Sequence, residues 1–470
     1  PSGTKYAAVT NTKGIYSIQG MRAGGPYTVT VSYIGAQTKT FEDLQLSLGE
    51  TFGLPVELVD DTQQLGEIVV TGEAGLAASR TGAAQTINAA RLAELPSINH
   101  SVADVARINP FVKVSEGGAM NIAGSNNRYN AIQIDGAVAN DVFGLTSNGA
   151  NGGQAGTQPF SMETIDQLQV SIAPFDVRQS GFTGGAINAI TKSGTNEFHG
   201  SAYTYFQNGD LVGDKYQLHD KSGTSAEYGS MTDYTLGATL GGPIIKDKLF
   251  FFGNFEFSQI PTVVNRWKTS ADGISNKDQY ITRVTTSDAQ QLSDFLKKNY
   301  NYDPGSFSDY PANEDNMKIL ARLDWNINRD HHLALRYNYT VNTYWNLPSA
   351  SRDITAFAES ASSQYGLYFA NSMYSMNNKI MTFSADLNSR LSDILSNQLL
   401  VTYSSINDVR GSNSAPFPFI EIAAGDLGEP TMPYMTFGYE LFTLGMSDEN
   451  QNALFDKDMF SYNLNLSDMN

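Results

Sequence analysis

The chain has 470 residues, a formal net charge of −18 and no cysteine. This length predicts roughly two or three structural units, and the lack of cysteine excludes disulfides and thiolate metal sites. The acidic composition contains no cluster of Lys and Arg, so nucleic acid is not an expected partner. The 24 Tyr, 25 Phe and 42 Gly fit a β-barrel with polar loops.

Residues 1–60 are predicted to form a small strand-rich unit. Residues 10–14 favour a turn, and Tyr16 and Ile18 follow it at the spacing of a half-buried strand. Apolar and polar residues alternate from position 27 to 33, which predicts a further strand. The segment resembles the end of a carboxypeptidase-regulatory-like domain, a transthyretin-like β-sandwich without peptidase activity. Since the chain begins inside this unit, we expect the true start and any signal peptide to lie upstream.

Residues 61–83 are predicted to be a linker with one short β-prone run, LGEIVVTG at positions 65–72. The run could be a plain edge strand, or a detachable strand that another protein captures through main-chain hydrogen bonds. We favour the detachable strand, because the run resembles the TonB box of outer-membrane transporters and lies between two predicted units. The resemblance assigns energy coupling to Glu67, Ile68, Val69, Val70 and Thr71.

Residues 84–195 are predicted to form an α+β unit. Residues 89–95 and 102–108 favour short helices, each closed by a following proline. Residues 131–134 predict a strand that ends in a hairpin-type turn at Asp135-Gly136. A helix followed by a strand is predicted to begin near Met162.

Two stretches carry a specific resemblance. Residues 191–200 read TKSGTNEFHG, and residues 241–252 read GGPIIKDKLFFF. The first resembles the plug-to-barrel junction of TonB-dependent receptors, most closely those of the Oar-like branch. The resemblance implies that residues 84–195 are a plug domain and residues 196–470 the first part of a transmembrane antiparallel β-barrel. It also implies the Gram-negative outer membrane as location, and TonB with its inner-membrane ExbB/ExbD motor as partner.

The residues after position 198 alternate in polarity. Over residues 317–325, 333–339 and 381–387, one face is apolar and the other is mostly polar or charged. A soluble sandwich shows the same alternation with its apolar face inside. Lone Arg and Asp on the polar face suit a wet lumen instead, and strands of about 9–11 residues match a tilted membrane span. We therefore expect the apolar face to contact outer-membrane lipid. Near the headgroups we expect Trp325, Tyr337, Tyr339 and Tyr403.

The strand-like runs after position 198 number roughly eight. Plugged transporters close at about 22 strands, and an open sheet would leave unpaired edge groups in lipid. We therefore expect the remaining strands to lie beyond Asn470. Long polar stretches at 207–231, 260–316, 343–364 and 408–457 alternate with short turns such as 328–330. They predict extracellular loops and periplasmic turns. The predicted fold class is thus mainly β: a transthyretin-like sandwich, an α+β plug and part of a membrane barrel.

No enzyme or metal chemistry is recognisable in the sequence. The five histidines form no H-E-x-x-H pair, and neighbours such as His331 and His332 point to opposite faces of a strand. A G-x-S-x-G elbow and a phosphate-binding loop are both absent. We therefore expect no catalysis, no metal and no cofactor.

The favoured function is energised transport of an unknown ligand through the plugged barrel. Plug residues predicted to face that ligand are Asn126, Asn127, Arg128, Asp141 and Phe143. The alternative is a structural or secretion-related component of an outer-membrane complex with the same fold. Import or export is left open. A surface lipoprotein lid like that of SusC-like sugar importers is an allowed partner but not an expected one, because the plug pattern of that branch departs from residues 191–200. The loop aromatics Tyr344, Trp345 and Phe417 could bind ligand or anchor the loops, and we favour anchors.

Overall fold

The structure is a computed structural model. It describes residues 5–18, 21, 24–46, 52–59, 68–71, 83–95, 101–115, 119–141, 149–151, 158, 160–172, 183–208, 211, 216–217, 225–226, 232–263, 267–277, 279–308, 310–346, 365–392, 395–423, 434–439 and 453–468. Within these ranges, no helix is both long enough and apolar enough to cross a bilayer.

The N-terminal sheet has three strands. They are β1 (Gly24–Val31), β2 (Lys39–Leu46) and β3 (Ile68–Thr71), with β2 between the other two. β1 pairs with β2 antiparallel, whereas β3 pairs with β2 parallel. The predicted turn at residues 10–14 is confirmed, because the Asn11 side chain accepts hydrogen bonds from two backbone N–H groups of the following residues. The prediction of a strand at Tyr16 and Ile18 is wrong. The backbone is irregular there, and the Tyr16 hydroxyl donates to the Leu54 carbonyl instead.

The plug sheet has five strands, which are β4 (Ala83–Asn88), β7 (Ala131–Ile134), β8 (Ala137–Val138), β9 (Ile165–Ile172) and β10 (Ala186–Thr191). They are paired in the order β4-β9-β10-β7-β8. Two short helices accompany the sheet, α1 (Ala89–Glu94) and α2 (Val102–Ala106). The unit also contains a hairpin of β5 (Val112–Val114) with β6 (Met120–Ile122), and two 3-10 turns (Asn127–Tyr129, Met162–Thr164). β10 runs parallel to β7 and antiparallel to β9.

Local sequence signals explain much of this unit. Asn88 caps α1 and Ser101 caps α2, each by accepting a hydrogen bond from a backbone N–H of the first turn. Asp135 and Gly136 have φ values of 50° and 83° and connect β7 to β8, so the predicted hairpin turn is confirmed. The apolar core beneath the sheet includes Leu168, which is fully buried.

The wall sheet has eight antiparallel strands, counted over the described residues. They are β11 (His199–Asn208), β14 (Thr232–Ile245), β15 (Leu249–Val263), β18 (Pro311–Asn326), β19 (His331–Asn346), β21 (Tyr374–Ser392), β22 (Leu395–Gly411) and β25 (Ala453–Asp468), paired in that order. The predicted strand length was too short, because the six strands from β14 to β22 have 14–19 residues. A strand of that size is about 50 Å long, which exceeds the roughly 30 Å of hydrocarbon even when tilted. The strand ends therefore extend into stretches predicted as loops, such as 343–364 and 408–457.

The polarity of the wall sheet is inverted relative to a soluble protein. On β18, Leu323 and Trp325 are 41% and 42% exposed, whereas Arg322 and Asp324 are 6% and 2% exposed. The same alternation continues on β19, where Tyr337 is exposed and Arg336 is buried. Charged side chains thus face the plug and apolar side chains face outward, as expected for a barrel in lipid. The predicted division into an apolar outer face and a charged inner face is confirmed.

Strand connections differ at the two ends of the wall sheet. The turns after β14, β18 and β21 are short, whereas the connections after β11, β15, β19 and β22 are long. The predicted turn at residues 328–330 is confirmed, with the Asn328 side chain accepting from the backbone N–H groups of Asp330 and His331. We call the two ends the short-turn end and the long-loop end.

The long connections are more ordered than the sequence predicted. They contain β12 (Tyr216–Gln217), β13 (Ser225–Ala226), β16 (Lys268–Ser270), β17 (Ile281–Thr285), α3 (Thr286–Tyr300), β20 (Gly366–Tyr368), a 3-10 turn (Ala370–Ser372), β23 (Phe417–Ala423) and β24 (Tyr434–Tyr439). The stretch 260–316, predicted from its polarity as a long loop, thus contains two short strands and a helix that the sequence analysis did not predict. Leu296, Phe369 and Phe437 meet in a separate apolar core, which stabilises this region. Phe417 stacks on Tyr302 with ring centroids 4.0 Å apart, as expected of a loop anchor.

The two sequence stretches that carry the resemblance contact each other. The Asn196 side chain makes two hydrogen bonds to Asp247: its Nδ2 donates to Asp247 Oδ1 (2.7 Å), and its Oδ1 accepts from the Asp247 backbone N–H (2.8 Å). Gly194 lies so close to the wall that a Cβ there would be 2.3 Å from the carbonyl oxygen of Phe251. The first wall strand after the plug is thus fixed in place by the β14–β15 turn.

Candidate functional site

The candidate site is the contact between the plug sheet and the inner face of the wall sheet. Its centre is Arg322 on β18, whose guanidinium binds Asp324 through two hydrogen bonds, from Nε to Oδ2 (2.9 Å) and from Nη2 to Oδ1 (3.1 Å). Its Nη1 donates to the carbonyl and hydroxyl oxygens of Thr191 at 2.7 and 2.8 Å. This arrangement uses the planar fork of an arginine, which a lysine cannot reproduce. Thr191 ends the last plug strand, so Arg322 binds the plug where it joins the barrel.

Asp135 connects the plug to a second wall arginine. Its Oδ2 lies 3.0 Å from Nε of Arg336, and its Oδ1 lies 3.6 Å from Nη1 of Arg322. The Arg336 contact is an ion pair that lacks the alignment of a hydrogen bond. The same carboxylate accepts hydrogen bonds from the backbone N–H and the hydroxyl of Thr191 at 3.0 and 2.6 Å. The positive φ of the β7–β8 turn therefore brings one plug carboxylate between two wall cations.

Six side chains form what we call the charge cluster: Asp135, Thr191, Arg322, Asp324, Arg336 and Asp386. Asp386 on β21 lies 3.7 Å from Nη2 of Arg336. The five charged side chains are each at most 10% exposed. Such buried groups contribute little net stability as a set, but the loss of one partner leaves an uncompensated charge. The cluster therefore favours a single seating of the plug against the wall.

A carboxylate of the plug lies beside this cluster. Burial raises the pKa of the Asp166 carboxyl on β9, while the nearby positive charges of Arg322 and Lys192 oppose that rise. The negative charge of Asp135 raises the pKa of Asp166 further. Burial thus disfavours the ionised form of Asp166, and the nearby positive charges offset only part of this effect.

A second polar contact holds another part of the plug. Glu256 on β15 accepts hydrogen bonds from the hydroxyls of Ser161 and Tyr203, and it pairs with Lys318 at 3.0 Å. Ser161 also caps the 3-10 turn that precedes β9. Three wall strands therefore bind this turn of the plug through one carboxylate.

Two of the predicted ligand-facing residues are brought into one neighbourhood. Gly149 accepts a hydrogen bond from the Asp141 backbone at 2.9 Å, and a Cβ on Gly149 would be 3.3 Å from the Asn127 carbonyl. Asp141 also lies within electrostatic range of Asp408, near the long-loop end of β22. The remaining predicted residues are Asn126 and Arg128, which are exposed beside Asn127, and Phe143, which lies outside the described residues. Their contact with a ligand stays a prediction.

The predicted coupling segment is found at the edge of the N-terminal sheet. Ile68, Val69, Val70 and Thr71 form β3, and Glu67 lies outside the described residues. The charge cluster was not singled out from the sequence. Its local signal is a pair of charged residues at alternate positions within the apolar part of β18, at Arg322 and Asp324.

A wall sheet that turns its charged face toward an α+β plug and its apolar face outward defines the class of an outer-membrane β-barrel protein. Comparison with known proteins agrees. The family model described as outer membrane beta barrel domain matches residues 190–469, and the carboxypeptidase regulatory-like domain matches residues 1–59. The chain belongs to the outer membrane beta-barrel family, which places it in the Gram-negative outer membrane.

Individual relatives were also found. The chain is 28% identical over 352 residues to the TonB-dependent transporter Oar of Myxococcus xanthus. The matched region covers 72% of this chain and 30% of Oar. It is 26% identical over 274 residues to a probable TonB-dependent siderophore receptor, PirA of Acinetobacter baumannii, covering 53% of this chain and 33% of the other. A solved structure, the outer membrane transporter YddB of Escherichia coli, has a TM-score of 0.48 and 15% identity over 76% of this chain and 43% of that one. The chain thus spans about a third of the length of these curated relatives.

Proposed function

We propose that the protein is a TonB-dependent outer-membrane transporter. The observation that carries this proposal is Asp135 of the plug, bound between Arg322 and Arg336 of the wall. A plug held by buried ion pairs in a lipid-facing barrel closes the lumen, yet it can be moved if those pairs are broken together. The relatives named as TonB-dependent transporter and siderophore receptor support the same function.

The proposed cycle begins with a ligand that enters from the long-loop end. Asn126, Asn127, Arg128, Asp141 and Phe143 are the plug residues that would face it. TonB, driven by the ExbB/ExbD motor, then captures Glu67 to Thr71 by strand addition. Force passes through residues 72–82 to β4 of the plug, and the charge cluster opens. The proposal divides the chain into residues 1–60, 61–83, 84–195 and 196–470, as sandwich, linker, plug and barrel.

The coupling role can be tested without knowing the ligand. Full-length protein lacking residues 67–71 is compared with protein lacking residues 76–80, a deletion of the same length in the same linker. Binding of the purified periplasmic domain of TonB is measured for both. The first deletion should abolish binding and the second should retain it. Equal binding by the two proteins would contradict the coupling role.

The alternative is a structural or secretion-related component with the same barrel and plug. It predicts a stoichiometric envelope partner other than TonB. Affinity purification from solubilised outer membranes, with the 67–71 deletion as comparison, separates the two functions. Recovery of such a partner irrespective of the deletion would favour the alternative.

A further inference from the structure

The coupling segment does not lie free in the structure. Its residues Ile68 to Thr71 form β3, which pairs with residues 39–42 of β2 in a parallel register. The partners are Lys39 with Ile68, Thr40 with Val69, Phe41 with Val70, and Glu42 with Thr71. β2 is bonded to β1 on its other side, so the coupling segment occupies the outer edge of the N-terminal sheet.

TonB would bind this segment by the same kind of bond. Strand addition uses main-chain N–H and carbonyl groups and needs little side-chain chemistry. The edge of β2 offers such groups to Ile68–Thr71 already. Two edges therefore compete for one strand if TonB must draw it away from β2.

We propose that the edge of β2 is a docking site for the coupling strand, where the N-terminal domain holds the strand in a resting state until TonB displaces it. This inference rests on the proposed coupling role of residues 67–71. It assigns the carboxypeptidase-regulatory-like domain a regulatory task in place of a purely passive one.

The position of the N-terminal sheet supports this role. A Cβ on Gly24 of β1 would be 2.9 Å from the carboxylate of Asp166 in the plug. Tyr6 lies beside His332, at the short-turn end of the wall, with ring centroids 5.4 Å apart. The sheet that carries the docked strand thus contacts the plug through β1, at the end opposite the long loops. The 11 residues 72–82 that follow it could reach at most about 40 Å when extended.

The short pairing suits a reversible docking site. Only four residue pairs join β3 to β2, and β3 has four residues, whereas β1 and β2 have eight residues each. A strand that stayed bonded to β2 would pass part of the TonB force to the N-terminal sheet. After release, the load would run through residues 72–82 to the plug alone. Displacement from β2 therefore precedes productive pulling.

A disulfide can lock the docked state. The chain contains no cysteine, so Lys39→Cys with Ile68→Cys introduces one defined pair in the full-length protein. Neighbouring strands lie about 4.8 Å apart, which is within the Cα separation that a disulfide spans. The matched control is Val31→Cys with Lys39→Cys, which joins β1 to β2 in register and leaves Ile68 uncrosslinked.

The measurements are crosslinking in isolated outer membranes and binding of the purified periplasmic domain of TonB. The Lys39–Ile68 pair should crosslink with oxidant or a short bis-maleimide. Its oxidised form should bind TonB at least about tenfold more weakly than its reduced form. Oxidation of the control pair should leave TonB binding unchanged.

Failure of each idea gives a different result. No crosslink at the Lys39–Ile68 pair, or equal TonB binding by its oxidised and reduced forms, would overturn the docking site. A crosslink that forms while neither the reduced variant nor the unsubstituted protein binds TonB would overturn the coupling role, and the resting-state role with it.

Discussion

The Asp135 carboxylate of the plug lies 3.0 Å from Nε of Arg336 in the wall sheet. The same carboxylate faces Arg322 at 3.6 Å and accepts two hydrogen bonds from Thr191. One short side chain at a tight turn therefore links both wall arginines to the plug. The seating of the plug is expected to respond strongly to changes at this residue.

Asp135→Asn removes the negative charge and keeps the shape of the side chain. The substitution leaves Arg322 and Arg336 buried with less compensation, a loss of up to about 3–5 kcal/mol. Faster hydrogen exchange of β7 and β10 should report the looser plug. Cells that carry the variant should also become more susceptible to vancomycin, which is too large to cross an intact outer membrane.

The control for this charge removal is Asp294→Asn, at an exposed position of α3. It should leave both hydrogen exchange in the plug and vancomycin susceptibility unchanged. Unaltered exchange in the Asp135→Asn variant would show that the ion pairs do not hold the plug.

Arg322→Lys retains the charge but loses the fork. A lysine can bind either Asp324 or the Thr191 oxygens, whereas the arginine binds both. We expect plug destabilisation of about 2–4 kcal/mol, as for the loss of charged hydrogen bonds in a buried site. Limited proteolysis of the plug measures it, with Arg329→Lys on the exposed 328–330 turn as control. Equal proteolysis of the two variants would contradict the role of the fork.

Gly194→Ala tests the contact between the two resemblance stretches. A Cβ at residue 194 would be 2.3 Å from the Phe251 carbonyl oxygen and 2.8 Å from that of Gly242, and backbone atoms cannot yield cheaply. The expected cost is about 1–3 kcal/mol. Gly253→Ala is the matched control, because its Cβ would meet nothing closer than 3.9 Å. Heat-modifiable migration in gel electrophoresis reports folding, and a normal Gly194→Ala barrel would refute the close contact.

Asp166→Asn tests the buried carboxylate beside the charge cluster. Burial raises the pKa of Asp166 above its ordinary 3.8, so the folded state binds this proton more tightly than the unfolded state. The stabilising effect is complete below the unfolded pKa and is lost as pH rises through the folded value. The neutral variant should therefore be more stable than the parent near pH 7. Below pH 3.8 the difference should vanish.

Urea unfolding followed at several pH values measures this difference. Asp272→Asn, in an exposed loop, should show no comparable gain at neutral pH. A variant of Asp166 that is destabilised at pH 7 and equally so in acid would mean that the carboxylate is well compensated.

The sequence predicted the elements that depend on local signals. Asn88 and Ser101 cap the two plug helices, and Asp135-Gly136 favours a type of turn that few other pairs adopt. The alternation on β18 and β19 predicted both the strands and their lipid-facing polarity. In each case the deciding interactions lie within a few residues.

Other features depend on long-range pairing. Arg322 binds Thr191, which lies 131 residues away in the sequence, and no local pattern specifies which charges meet. The pairing of β3 with β2 could not be predicted for the same reason. By contrast, α3 was predictable in principle. At its N-terminus the Thr285 side chain accepts a hydrogen bond from the backbone N–H of Asp288. At its C-terminus Asn301 adopts the left-handed conformation that commonly ends a helix.

The central claim is that the outer face of the wall sheet contacts lipid while its inner face contacts the plug. Spin labels at Phe383→Cys and Ser384→Cys, neighbours on β21 in a chain without cysteine, test it directly in reconstituted bilayers. The label at residue 383 should collide readily with oxygen and poorly with a water-soluble nickel chelate, and the label at residue 384 should be protected from lipid-dissolved oxygen. Equal oxygen accessibility at the two positions, or preferential nickel contact at residue 383, would contradict the account.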